Sequence, residues 1–360
     1  MTEEQQDILA LYGVPGIGAK TFSMLTGHFG SAGAVFAASD ARLRELPRLQ
    51  EKIVSNIRSF DRHSFIADQR KRVDACGAVM VVRGSDDYPV SLGEFATAPP
   101  VLFVRGDVSV LSKAGVGFVG TRQATAYGER MTRTLASDVA RAGYVIVSGM
   151  AEGIDSFAHR ASIDAGGLTT AVFGCGVDVI FPTRNSQLAR EIAAHGCLVS
   201  HFPMGTQGMP GNFPARNSVI VGLSRCTVVV EAGTRSGALI TAELTLKAHR
   251  PLFAVPGSAD SPKSAGTNRL FAHGAKPATD AHHILETLGS RHSSVTSAPE
   301  PSTLPGGVAG KILRMVSNEA AHVEIIAEKL GLTASELLAE LTMLELDGWV
   351  VQSGGMISRR

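Results

Sequence analysis

Between residues 116 and 257 short, continuously apolar runs alternate with segments whose apolar positions recur at helical spacing. The series opens at 116–119 and passes into a helical stretch at 127–141, with Met131, Leu135 and Val139 on one stripe. Strand-like runs follow at 144–147, 169–173 and 198–200, separated by helix-like segments at 154–165, 185–194 and 216–223. The run 228–230 then leads through Gly233, Ser236 and Gly237 into helical spacing over 239–246. Strands that are apolar at every position are covered on both faces, whereas half-exposed strands alternate. The pattern therefore predicts an α/β fold, an extended Rossmann-like, doubly wound and mostly parallel sheet, with earlier runs at 79–82 and 101–104 extending it at an edge.

The flanks are patterned differently. Residues 5–75 are helical throughout and contain the turn GVPGIG between two helical segments. The stretch from Gly13 to Lys20 misses the phosphate-loop pattern G-x-x-x-x-G-K-[ST], because Ala19 separates Gly18 from Lys20, and no strand precedes it. A helix-hairpin-helix turn fits better, serving either a nucleic-acid backbone or a protein contact. Residues 289–307, rich in Ser, Thr, Pro and Gly, read as a linker. Beyond it, helical patterns at 310–316, 323–330 and 334–346 precede a short strand pair, the outline of a winged helix. Thr333 followed by Glu336 is a capping box that starts its third helix. The expected layout is a helical, helix-hairpin-helix or SAM-like domain at 1–75, a Rossmann-like domain at 76–288, the linker, and a winged helix at 308–360.

Composition narrows this picture. The 360 residues exceed what one core usually holds, roughly 250–300, so more than one domain is expected. The N-terminus MTEEQQDILA is polar and acidic, unlike a signal peptide, and no apolar run approaches the roughly 18 residues of a membrane span. A cytoplasmic protein with no membrane partner is the expectation. Cys76, Cys175, Cys197 and Cys226 form no C-x-x-C pair and read as buried free thiols, with no metal site. A net charge of +1 excludes a uniformly basic surface but leaves room for a local basic cleft. Residues 42–72 carry nine basic side chains against four acidic ones, either a solvated helix face or one that meets phosphates. In the winged helix seven acids outnumber five bases, and Glu336, Glu340 and Glu345 on its third helix would repel phosphates. A protein-contact or regulatory role is expected there.

Ligands of open parallel sheets bind beyond the carboxyl ends of the strands. In this chain those ends are rich in small residues: Gly120 and Thr121, then Ser148, Gly149 and Gly153, then Gly174 and Gly176, then Gly233, Ser236 and Gly237, and finally Gly257. Arg122, Arg216, Arg235, Lys263 and Arg269 fall in or beside the same loops, enough charge for several phosphates. A shared anionic ligand explains the repetition. The turn VGTRQATAYG lacks G-x-G-x-x-G and no acid closes the second strand, so hydride chemistry on a dinucleotide is not expected and no cofactor is assigned. Asp155 and His159, one helical turn apart, are either an acid–base pair or partners in a local hydrogen bond. Glu231 is either catalytic, an acceptor for turn amides, or a partner that orients Arg216. No catalytic residue is assigned.

The segments VGTR (119–122), SGMAEGIDSFAH (148–159), FPARNSVIVGLS (213–224), VVEAGTRSGALITAE (229–243), VPG (255–257) and GTNRLFAHGA (266–275) resemble, in order and spacing, the motifs of the DNA-processing protein A family, DprA or Smf. The resemblance spans 116–278, and both flanks look like that family's common modules. It implies a cytoplasmic homodimer that binds single-stranded DNA through the Rossmann-like domain, protects it, and loads the recombinase RecA during natural transformation, without catalytic turnover. Carried over by motif, Gly120, Thr121, Arg122, Ser148, Gly149, Arg216, Asn217, Ser236, Gly237 and Asn268 would line the phosphate pocket; Gly153, Gly233, Lys263 and Arg269 join them from the strand-end pattern. Ser218 departs from the many relatives with Arg there. Aromatic residues near these motifs are few (Phe118, Phe181, Phe213, Phe271), so backbone contacts are expected to dominate over base stacking. An alternative is an enzyme: GTRSGALITAE is loosely similar to the P-G-G-x-G-T-x-x-E turn of nucleoside-monophosphate phosphoribohydrolases, although the Pro-Gly-Gly start is absent and Glu243 lies far along the helix.

Overall fold

The computed structural model describes residues 1–47, 49–289, 307–316, 321–347, 349–353 and 356–359. The expected linker therefore lies outside the described residues except at its two ends, as do Arg48, Glu319 and Arg360. Contacts divide the chain into two units, Met1–Arg291 and His292–Arg360.

The first unit begins with helices α1 (Glu3–Gly13), α2 (Ala19–Phe29), α3 (Ala32–Ala37), α4 (Asp40–Arg44), α5 (Glu51–Ser59) and α6 (Arg62–Cys76). Local chemistry sets their ends. Thr2 and Gln5 form a capping box on α1, Asp61 caps α6 through the Ser64 amide, and Gly77 stops α6 in the left-handed conformation. The turn between α1 and α2 is the predicted hairpin. The helices do not form a free-standing core: Leu9, Leu11, Leu25, Leu43 and Val54 share one apolar cluster with Val101, Phe103, Phe173, Leu198 and Met204 of the sheet side.

Then come β1 (Ala78–Val82), α7 (Val90–Gly93), β2 (Val101–Gly106) and β3 (Gly115–Val119), followed by α8 (Ala126–Arg141), β4 (Val145–Ser148), α9 (Ile154–Asp164) and β5 (Thr169–Val172). The chain continues with α10 (Ser186–Ala194), β6 (Gly196–Ser200), α11 (Asn212–Leu223), β7 (Ser224–Val229), α12 (Ala238–Lys247), β8 (Leu252–Ala254), α13 (Ala265–Phe271), β9 (Lys276–Pro277) and α14 (Ala281–Thr287). One nine-stranded sheet runs β1-β2-β6-β5-β4-β3-β7-β8-β9. Pairings from β6 to β9 are parallel, while β1 with β2 and β2 with β6 are antiparallel. This is the doubly wound, mostly parallel sheet that the continuous apolar runs predict, with its early strands at one edge. Every residue of β3, β4, β5 and β6 is buried, as strands covered by helices on both faces must be.

The second unit contains α15 (Gly307–Met315), β10 (Ala321–His322), α16 (Val323–Leu330), α17 (Ala334–Leu346), β11 (Val350–Ser353) and β12 (Met356–Arg359). Its strands pair β10-β12-β11 over a core that includes Ile312, Leu313, Ile326, Leu337, Leu341 and Ile357, which is a winged helix. The Thr333–Glu336 capping box is present, with the Thr333 amide donating to the Glu336 carboxylate at 2.9 Å. No described helix is long and apolar enough to cross a membrane, and among the described residues no group of His, Cys, Asp or Glu is arranged to hold a metal ion. Cys175, Cys197 and Cys226 are buried free thiols and Cys76 is a partly buried one.

Candidate functional site

From β3 the chain winds outward through β4, β5 and β6, then returns to start β7 on the other side of β3. The loops leaving β3 and β7 consequently diverge, and the crevice between them is where ligands of doubly wound sheets bind. A cleft of about 830 Å³ occupies this place. The loop after β3 supplies Gly120, Thr121 and Arg122 to its wall, and α11 supplies Arg216 and Asn217. Gly233, Arg235, Ser236 and Gly237 come from the loop after β7, and Lys263 from the loop after β8. Gly120 is required by close approach: a Cβ there would lie 2.5 Å from Ile154.

Five of the residues expected in the site stand behind or beside this wall. The Ser148 hydroxyl is buried and donates to the Phe118 carbonyl at 2.6 Å. Gly149 makes room for a guanidinium, since its Cβ would fall 1.6 Å from Arg216 Nη1. Gly153 turns with φ +80° under the Thr121 carbonyl. The Asn268 amide is spent on both backbone groups of Gly257, at 2.9 and 3.2 Å. Arg269 is exposed on α13 and does not line the cleft. Motifs marked Ser148, Gly149 and Asn268, and the strand-end pattern marked Gly153 and Arg269, but neither separates a residue that touches a ligand from one that shapes the loop touching it. Of the aromatics, Phe118 belongs to the core, whereas Phe213 lines the cleft.

Two arginines dominate the electrostatics. Arg216 is 5% exposed; its Nη1 donates to the carbonyls of Gly149 and Val172, the latter at 2.9 Å, and its Nε is buried without a partner. Burial pulls the guanidinium below its ordinary range, and the neighbouring Asp155 pulls it back up. Arg122 is exposed and makes no ion pair among the described residues. Both guanidinium groups lie over the Phe213 ring, Arg122 at 5.2 Å and Arg216 at 5.6 Å from its centroid. Lys263 reaches across the cleft mouth, its ammonium donating to the Gln123 carbonyl at 2.9 Å.

The acidic candidates are committed. Asp155 accepts from the amides of Gly149 and Ala151 at 3.2 and 3.3 Å, and burial holds its carboxyl above the usual range. His159 bonds to the Thr169 hydroxyl at 2.6 Å instead of Asp155, so the expected local pair does not form. Burial, helped by the Arg216 charge, lowers its pKa to about 3, which keeps the ring neutral. Glu231 accepts from the Thr125 amide and hydroxyl at 2.9 and 2.8 Å, a turn-amide role at the start of α8. Glu243 is exposed and paired with Lys247.

Residues 79–289 match the family model described as DNA recombination-mediator protein A, which covers more than half of the chain, and residues 296–356 match the DprA winged helix domain. The chain belongs to the DNA recombination-mediator protein A family. Membership in that family assigns it to DNA processing in recombination. Protein Smf of Synechocystis is 32% identical over 397 residues, covering 99% of both chains. The X-ray structure of DNA processing protein A from Streptococcus pneumoniae superposes with a TM-score of 0.69 at 29% identity, covering 79% of this chain and 98% of that one. DNA processing protein A from Helicobacter pylori, solved for its single-stranded DNA binding mode, gives a TM-score of 0.54 at 30% identity over 59% of this chain and 95% of its own. The recombination-mediator match covers the sheet from the second residue of β1 to β9, and with it every residue of the cleft.

Proposed function

We propose that the cleft binds single-stranded DNA through its phosphates, and that the protein, as a homodimer, protects incoming DNA and loads RecA recombinase during natural transformation. The observation that carries the binding step is the meeting of Arg122, Arg216, Arg235 and Lys263 with the glycine-bearing loops after β3 and β7 at the switch point of the sheet. Exposed backbone amides and cations of this kind grip a phosphate chain without reading its sequence. The single-stranded DNA bound by the Helicobacter pylori relative, and the family's recombination role, support the same reading. Protection and RecA loading rest on the motif resemblance alone.

A binding role without turnover also suits the carboxylates. Asp155 and Glu231 hold backbone amides, and Glu243 lies on the exposed face of α12. A phosphoribohydrolase needs a carboxylate free to act on the ribose phosphate. Incubation with nucleoside monophosphates is expected to release no free base; robust release would replace the binding role with an enzymatic one.

The deciding measurement is affinity for single- against double-stranded oligonucleotides across a salt series. Single strands are expected to bind more tightly, with affinity falling steeply as counterions are released into rising salt, at a slope of about 0.7 per phosphate neutralised. Equal affinity for the two forms, or none for either, would overturn the proposal. Mixing with RecA and protein-free or protein-coated single strands tests the loading step separately.

A further inference from the structure

Beside the cleft stands an apolar rim that no described residue covers. Phe181 is 44% exposed and Met209 is 61% exposed. The Phe181 ring centroid is 6.3 Å from that of Phe213, with the planes 32° apart, so the rim continues directly from the aromatic that carries both guanidinium groups. The rim is also held stiffly. A Cβ on Gly208 would fall 2.9 Å from the Phe181 ring, so bare backbone supports that ring from one side. The Asn212 side chain donates to the carbonyls of Gly174 and Gln207 at 3.0 and 3.2 Å, and its backbone amide donates to the Met209 carbonyl at 3.0 Å. At the start of the same loop Gln69 of α6 grips Met204 at both its backbone groups, accepting from the amide at 2.7 Å and donating to the carbonyl at 3.2 Å. Exposed apolar side chains on so tightly tied a loop are a preformed surface, not a floppy one.

We propose that Phe181 and Met209 form a stacking shelf for an unpaired nucleobase whose phosphates occupy the neighbouring cleft. This rests on the proposed single-strand function and adds the base to the phosphate. A π-face is common to every base, so stacking is sequence-tolerant, and an exposed flat ring, with a polarizable thioether at the next residue of the Gly208 loop behind it, suits that face. Interior bases of a duplex have both faces covered by their neighbours and cannot reach the shelf without unstacking. The shelf therefore favours single strands at a point where phosphate contacts alone are indifferent to strandedness. In this arrangement backbone contacts act in the cleft, and the shelf is where a base is felt.

The test compares a thymine oligonucleotide with an abasic strand of equal length, by fluorescence anisotropy on the full chain at one low salt concentration. The wild-type protein is expected to prefer the base-bearing strand by about tenfold, the scale of one stacked base. Phe181→Ala should bring that preference to within about twofold while leaving the abasic affinity unchanged, and Phe181→Trp should keep it. A 2-aminopurine placed in the strand should be quenched by the wild type and not by Phe181→Ala. Should Phe181→Ala melt at a lower temperature, Phe181→Leu, which keeps apolar bulk without a flat ring, carries the same comparison. A preference that survives in these variants removes the shelf and leaves the single-strand function standing. Failure of the wild type to bind either strand removes both.

Discussion

The helical segment over residues 42–72 and the cleft between β3 and β7 place positive charge differently. The helical segment is the richer in sequence, and part of its charge is tied up in ion pairs: Arg44 pairs with Glu51 and Asp40, Arg58 with Asp40, Arg62 with Asp7, and Arg72 with Asp68 and Asp178, whereas Arg42, Lys52, Arg70 and Lys71 have no ion pair among the described residues and face no glycine-lined cleft. The cleft holds fewer cations, but Arg122, Arg235 and Lys263 have no ion pair among the described residues. They line one cleft together with the glycine-bearing loops after β3 and β7. Counting charges along a chain measures supply, whereas binding depends on what remains after neighbours have been satisfied.

The sharpest way to break this contrast is to remove the cleft arginines. Arg216→Ala and Arg122→Ala should each lower single-strand affinity by about tenfold or more for all sequences alike, and flatten the salt slope by about 0.7 for each phosphate no longer neutralised. Only Arg216→Ala should also cost stability in denaturant titrations, by about 1–3 kcal/mol, because it strips a partner from two buried carbonyls. Unchanged binding in both variants would move the site elsewhere.

Next in size is a pH effect on the packing of α1 against the end of β6 and on the core beneath the cleft. Tyr12 of α1 bonds to His201 beyond β6 at 2.8 Å, and burial lowers His201 to about 4, as it lowers His159 to about 3. Both values lie below the ordinary 6.5, so the unfolded chain accepts protons that the folded chain refuses. Stability is therefore full above pH 6.5 and falls as the pH drops from there towards 4 and 3, by about 2 kcal/mol for each histidine at pH 5. Thermal unfolding at pH 8 and pH 5 measures it, and His201→Gln should make the fall smaller.

Gly149→Ala sharpens the comparison with a smaller perturbation. It changes no charge but pushes the Arg216 guanidinium aside, and affinity should fall by about three- to tenfold, as expected for a displaced charge-assisted contact. The smallest effect is expected in the helical segment: Arg44→Ala with Arg58→Ala should leave affinity within about twofold, as screened surface ion pairs predict. A large drop there would show that this segment meets phosphates after all.

The sheet was legible because continuous apolar runs leave few alternatives to a covered parallel strand, and small residues repeated at the strand ends marked where a ligand could sit, while the strand order that makes the crevice between β3 and β7 has no sequence signal. Other features carry no such signal. The two-residue β9 contains Pro277 and has no apolar period. Helix α11 starts at Asn212, earlier than the expected 216, because Pro214 sits in its first turn where no amide donor is needed. Motif spacing gathered the right loops for the cleft, but Asn268 and Ser148 have side chains turned to internal carbonyls, which depends on distances no linear pattern encodes. Gln69 was missed altogether: a glutamine in a helix looks like a solvent-facing residue until its partner, 135 residues away, is in view.

That glutamine bears on how the protein can be taken apart. A boundary drawn where helical spacing gives way to strands suggests interchangeable parts, with the first six helices as an attachment to be deleted or swapped. The grip of α6 on Met204 makes them a splint for the loop that leads into α11 just before Phe213. A shortened chain beginning near β1 would expose the apolar cluster under α1 and release that loop at once. Weakened DNA binding in such a truncation would then report a missing splint, and would say nothing about whether the helices touch DNA.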